Sequence, residues 1–303
     1  MRIVVTGSAG RIGRAIVACL ARNHEVVGLD RVPSATAVQH VGDVVDRELL
    51  ATGFAGAHAV VHVAALHAPH VGVVPDADIE RVNVDGTRAV IAAARAAGIR
   101  RIVYTSTTAL YGKASHVSGR ATWIDEDVEP IPLTMYHRTK LAAEQGLRDA
   151  ADDDLQVRIL RISRCFPEPA DVMGVYRLHR GIDARDVATA HAAALVHVGG
   201  PHHTWVISGQ TPFGEADLPA LAEDAPAVLR VRAPDLVAAY LARGWPLPAA
   251  IDRVYVPARA MRELAWRPRH GFAEVLAMFD GQSAEVLAPR AIGGSGRTGH
   301  RLG

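Results

Sequence analysis

The chain has 303 residues, 49% of them hydrophobic, and 33 Lys and Arg against 32 Asp and Glu leave a formal charge of +1. That length and apolar content support one or two well-buried domains, and the near-neutral balance lacks the basic footprint of a nucleic-acid or membrane-surface binder. Two cysteines, Cys19 and Cys165, far apart and without CxxC spacing, argue against a disulfide framework and fit a reducing compartment.

The first predicted element is a strand, RIVVTG from Arg2 to Gly7, which TGSAGRIG joins to a helix from Arg11 to Arg22. No apolar stretch of signal-peptide length precedes it and no later run approaches roughly 18 uncharged apolar residues, so a soluble, cytoplasmic protein is expected. Without a Cβ, Gly7 can make the turn, Gly10 can admit a pyrophosphate close to the backbone, and Gly13 can let the helix pack against the strand. A glycine-rich turn is often only a turn. Here the next strand, EVVGLD, ends in Asp30 roughly 20 residues on, where a carboxylate meets the hydroxyls of an adenosine ribose. Asp43, at the end of a further short strand, can reach the adenine amino group. The order of these residues points to a bound dinucleotide, and the Asp30 carboxylate, which would repel a 2′-phosphate, points to NAD.

Strands follow at Ala59 to Ala65 (AVVHVAA), Arg101 to Ser106 (RIVYTS) and Val157 to Ser163 (VRILRIS), with helices at Ile79 to Ala97 and Tyr136 to Ala150 between them. This alternation predicts an α/β fold with a doubly wound parallel Rossmann sheet. Beyond Cys165 the prolines and glycines of FPEPADVMGVYRLHRG, WPLPAA and LAWRPRHGF break long elements, although DVATAHAAALVH reads as helix and TWVIS as strand. The expected organisation is a Rossmann domain over residues 1–164, completed by about 183–209. A smaller interleaved substrate lobe is expected over 165–182 and 210–285, and a flexible tail over 286–303.

Tyr136 and Lys140 form a YxxxK pair on one helix face. A nearby ammonium favours phenolate, so Tyr136 can act as a general base on a substrate hydroxyl while Lys140 also reaches the cofactor ribose. The hydroxyls of Ser106, Thr107 and Thr108 lie at the carboxyl end of their strand, where open α/β sheets bind ligands. Among the fifteen histidines, His62, His67, His70, His202 and His203 fit no metal-binding spacing, and no metal is expected. His67 is a candidate for one substrate contact.

With TGxxGxxG, Asp30, Asp43, HVAA at His62 to Ala65, NVDGT at Asn83 to Thr87, STTALYG and YxxxK assembled, the chain resembles the extended short-chain dehydrogenase/reductase superfamily. The likeness is to the NAD-dependent epimerase/dehydratase family in particular, and it runs from Met1 to about Gly209. The resemblance implies Thr107 as the hydroxyl that bonds the substrate oxygen, Tyr136 as acid and base, and Lys140 as its modulator. It also implies cofactor contacts from Arg11, Ile12, Ala64, Ala65 and Asn83, and a homodimer paired through the two central helices.

Dehydratases of the family carry Asp-Glu after the active-site Thr, whereas Thr108 and Ala109 stand here and supply neither acid nor base. Many nucleotide-sugar epimerases have an Asn in RxxNxxGP that meets the substrate diphosphate, where this chain has Arg164. RxxxCxPEP is closer to uronate dehydrogenases, in which a Tyr-Arg pair grips the substrate carboxylate, and Tyr176-Arg177 is the candidate here. The expected activity is oxidation of a hydroxyl of a sugar or sugar acid with NAD. A nucleotide-sugar epimerase like UDP-glucose 4-epimerase is the alternative, and a non-catalytic NAD sensor is a third reading that the set Thr107, Tyr136 and Lys140 disfavours. Thr108, Arg164, Arg177 and His67 are the candidate substrate-binding residues.

Overall fold

The computed structural model describes residues 1–290. Seven strands, β1 (Arg2–Thr6), β2 (Glu25–Asp30), β3 (Val38–Val41), β4 (Ala59–His62), β5 (Arg101–Thr107), β7 (Gln156–Ile162) and β8 (His202–Ile207), form one sheet, while β6 (Thr122–Ile124) pairs elsewhere. The order β3-β2-β1-β4-β5-β7-β8 is parallel throughout and reverses direction between β1 and β4. Chain crossovers leave in opposite directions there, opening the crevice in which doubly wound sheets bind dinucleotides.

Side chains alternate across each strand, so one face takes Ile3, Val5, Val61, Val103 and Leu160 and the other Val4, Val27, Val60, Ile102 and Ile159. The first face is covered by α1 (Arg11–Leu20) and α7 (Ala184–Val196). The second lies under α2 (Arg47–Phe54), α3 (Asp76–Glu80), α4 (Gly86–Ala96) and α5 (Met135–Asp149). Burial on both faces explains why these strands read as apolar runs and not as alternating patterns.

The helix expected as one piece from Ile79 to Ala97 is α3 and α4 joined by a π-helical turn, Arg81–Asp85. Asn83 sits in that turn and its side chain grips the backbone of Leu66, a contact that occupies the extra residue.

A separate core of Val175, Leu178, Phe213, Leu221, Leu229, Leu236, Tyr240, Ile251 and Val254 lies beside the sheet. It is built from α6 (Ala170–Tyr176), α8 (Leu218–Glu223), α9 (Ala225–Arg232), α10 (Pro234–Ala242) and β9 (Arg253–Tyr255), which pairs in parallel with β6. After α11 (Ala258–Glu263), Asp186 of α7 accepts hydrogen bonds from the Arg269 and His270 backbone N–H groups at 2.9 Å, anchoring LAWRPRHGF to the sheet domain.

Residues 286–290, expected as the start of a flexible tail, are docked on the protein instead. After α12 (Phe272–Asp280), Val286 is buried, Leu287 exchanges backbone hydrogen bonds with Glu168 and Ala170, and Arg290 pairs with Asp171 at 3.2 Å. These partners belong to α6 and the loop before it, so only tertiary contact reveals them. The Gly-rich stretch 291–303 lies outside the described residues.

Candidate functional site

At the first turn, Gly7 has φ +70°, and a Cβ there would lie 2.7 Å from the Ala64 nitrogen; one on Gly13 would lie 2.0 Å from the Gly7 carbonyl oxygen. Backbone occupies both places, so neither position has room for a side chain. Gly10 has normal backbone angles and caps α1 with no side-chain hydrogen bond. The first N–H groups of that helix therefore face the crevice ready for an anion.

Asp30 ends β2 facing this turn, with one carboxylate oxygen accepting from the Ala9 N–H at 2.9 Å and the other from the Val32 N–H at 3.3 Å. Asp43 follows β3, paired with Arg81 at 3.1 Å. Ala64 and Ala65 continue from β4 at the switch point, and the Ala64 N–H donates to Thr6 Oγ1. Ile12 packs partly buried against the core, while Arg11 forms an ion pair with Glu285. The turn, the free helix N-terminus and the carboxylate at the end of β2 together fit an NAD molecule laid across the sheet edge. Asn83 differs from expectation. Its amide is spent on Leu66 N–H and C=O and on Thr139 Oγ1, so it braces the β4 loop against α5.

At the other end of the crevice, Thr134 caps α5 by accepting from the His137 N–H, which sets the register that turns Tyr136 and Lys140 inward. Tyr136 lies beside Thr107 at the end of β5, and the Thr107 hydroxyl, which accepts from the Ala109 N–H at 3.1 Å, faces the phenol. Burial pushes the Tyr136 phenol up to about 12, and the Thr107 contact only partly offsets this. The lowering by the Lys140 ammonium that the YxxxK spacing predicts is not among the influences on the phenol. Lys140 Nζ is instead drawn back, donating to the Thr105 carbonyl at 2.8 Å and lying 4.1 Å from the centre of the Tyr104 ring. Burial brings Lys140 down to about 7, with Glu144 opposing the shift.

Beneath this pair lies a charged floor. Glu144 is fully buried one turn past Lys140; it accepts from Ser106 Oγ at 2.5 Å, from Arg161 Nε and Nη2 at 3.1 and 2.8 Å, and from Arg148 at 3.0 Å. Arg161 also donates to the Tyr111 hydroxyl, which donates to the Asp125 carbonyl. Sequence reasoning passed over this network, although Glu144 stands four residues after Lys140 on the same helix face, a spacing that could have flagged it.

The candidate substrate residues divide. Thr108 is buried at the start of a short helical turn beside Thr107, and the His67 imidazole is brought down to about 4 by burial, with Lys140 and His70 adding to the effect. Arg164 lies two residues beyond Ile162, the β7 partner of Thr107; its guanidinium meets Glu168 and the Phe166 ring, and its side chain is 41% exposed. Arg177, expected to grip a carboxylate, is closed off. It is 2% exposed and bound to Asp183 at 3.0 Å, because the end of α6 folds it under the start of α7. Among the described residues no helix is long and apolar enough to cross a membrane, and no three His, Cys, Asp or Glu converge as a metal site.

The profile of the NAD dependent epimerase/dehydratase family matches residues 3–173, and the chain belongs to that family of NAD-dependent enzymes. NAD is its cofactor. The chain is 30% identical over 171 residues to an N-acetyl-alpha-D-glucosaminyl-diphospho-ditrans,octacis-undecaprenol 4-epimerase of Escherichia coli O157:H7, covering 55% of this chain and 49% of that one. It spans about half the length of the curated relatives it matches. A short-chain dehydrogenase/reductase superfamily protein from Agrobacterium tumefaciens, solved with bound NAD, superposes with a TM-score of 0.68 at 23% identity, covering 91% of this chain and 95% of that one. The UDP-glucose 4-epimerase of Thermotoga maritima, solved with UDP-glucose, does so at 0.68 and 19%, covering 93% and 99%. At those identities the likeness establishes the shared fold.

Proposed function

We propose that the chain oxidises a hydroxyl of a sugar or sugar acid with NAD, with Tyr136 exchanging the proton at the reacting oxygen and Thr107 holding that oxygen. The observation that carries this reading is the placing of the Tyr136 phenol beside Thr107 at the carboxyl end of β5, with buried Lys140 one helical turn on. Bound NAD supplies the hydride acceptor. Tyr136 takes the substrate proton in oxidation and returns it in reduction, and its high pKa makes it the acid in the free protein. The neutral His67 imidazole is suited to a sugar hydroxyl.

Arg164, half exposed at the end of β7, supports an anionic substrate: a guanidinium there can leave Glu168 for a carboxylate or phosphate on the ligand. That favours a sugar acid, with release of the oxidised product, over a neutral sugar. The outward faces of α4 and α5 are the proposed homodimer contact, which light scattering on the eluting protein would test.

A screen of free uronic acids, free sugars and nucleotide sugars, followed by NADH absorbance and by product isomer analysis, tests the function. NADH formed from a uronic acid supports the dehydrogenase. A UDP-sugar isomerised without net NADH would replace it with an epimerase, and no turnover of any carbohydrate would refute the sugar reading.

A further inference from the structure

Lys140 is a buried cation without a carboxylate of its own. Among the described residues no ion pair includes it, and its one hydrogen bond goes to the Thr105 carbonyl. The nearest acid along its helix, Glu144, is already engaged by Arg161, Arg148 and Ser106. What faces the ammonium instead is aromatic. Tyr104 of β5 presents its ring 4.1 Å below Nζ, and His62, its register partner on β4, lies against that ring with centroids 5.4 Å apart.

The His62 ring is fixed at both nitrogens, and the Tyr104 ring is buried against it. His62 is fully buried with Nδ1 2.8 Å from Thr6 Oγ1 and Nε2 3.0 Å from Thr87 Oγ1. Thr87 donates its own proton to the Asn83 carbonyl, so His62 Nε2 donates to Thr87 and Nδ1 accepts from Thr6. Burial and the Lys140 charge bring His62 down to about 3, leaving it neutral.

We propose that Tyr104 is a positioning residue, whose ring face holds the Lys140 ammonium where a carboxylate would otherwise stand and leaves its remaining N–H bonds for the ribose of NAD and for Tyr136. A carboxylate in that place would draw the ammonium away from the cofactor and neutralise its field; an aromatic face attracts the cation without carrying charge. The groups facing Lys140 are Tyr104 from β5, His62 from β4, His67 from the following loop, and Tyr136 and Glu144 from its own helix. Of these only Glu144 is anionic near neutral pH, and its charge is matched by Arg161 and Arg148.

The proposal rests on reading Lys140 as the cofactor-facing partner of Tyr136, and the test separates the two. NAD affinity is measured by equilibrium titration across pH for the wild type, Tyr104→Phe, Tyr104→Leu and Lys140→Met. The wild-type affinity is expected to fall as Lys140 loses its proton. Tyr104→Phe, which keeps the ring, should overlay the wild type. Tyr104→Leu should move the fall down by about one pH unit, because removing the π face disfavours the ammonium. If Tyr104→Leu does not fold, phenylalanine analogues of increasing ring fluorination at position 104 supply the same test at nearly constant shape, and the shift should grow with fluorination. A uniform loss of affinity with no pH shift, in either series, overturns the role of Tyr104. If Lys140→Met keeps the pH-dependent fall, the reading of Lys140 itself fails and the proposal falls with it.

Discussion

Replacing Glu144 by Gln removes one charge and almost no volume from the floor of the site. In the wild type that carboxylate is fully buried between Arg161, Arg148 and Ser106, so the variant strands a buried guanidinium beside a neutral amide. Breaking a buried pair on one side costs about 3 to 5 kcal/mol. Arg148 is partly exposed and solvated, and Gln retains one oxygen for Ser106, which places the expected loss at the lower end, about 3 kcal/mol.

Urea unfolding at neutral pH, together with a fall in Tm of about 5 °C, reads this out. The pH dependence supplies a second check. Burial alone would raise the Glu144 carboxyl, but Arg161, Ser106 and Arg148 more than offset it, and its pKa lies below the ordinary 4.5. A depressed folded-state pKa gives stability that is present above the unfolded value and lost as pH falls through the folded one. The gap between wild type and Glu144→Gln should therefore be full at neutral pH and narrow below about pH 4.5. A variant within 1 kcal/mol of wild type by urea, or a gap that widens in acid, would refute the reasoning, since either means the arginines do not depend on that charge.

Tyr136→Phe should leave the fold and NAD affinity nearly intact while kcat falls by roughly 10²-fold or more, checked by steady-state kinetics beside an NAD titration. NAD should bind more tightly than NADP, because the Asp30 carboxylate faces the place of a 2′-phosphate; the reverse order in a direct titration would remove that role from Asp30. Arg164→Ala should raise KM for a uronic acid with little change in kcat, whereas Arg177→Ala should lower stability by about 1 to 2 kcal/mol, since Asp183 loses one buried partner and keeps Arg185, with any change in KM following the loss of fold.

The seven-stranded sheet is legible along the chain because its signals are local. VVT, VVGLD and RIVYTS are short apolar runs, the helices between them are Ala-rich, and the glycines at 7, 10 and 13 mark a strand-to-helix turn. The spacing of Tyr136 and Lys140 likewise shows that they share a helix face. Which partner each charge takes is a different question, decided by groups that meet only after folding. Arg177 looks available in sequence and is sealed against Asp183 by the turn that carries the chain from the end of α6 to the start of α7. The ring that meets the Lys140 ammonium, Tyr104, stands 36 residues earlier on β5, and spacing along α5 does not show it. The β6–β9 pair and the contacts of residues 286–290 with α6 escaped for the same reason. Each is a short segment with no periodicity of its own, and its hydrogen bonds are satisfied by backbone more than a hundred residues away.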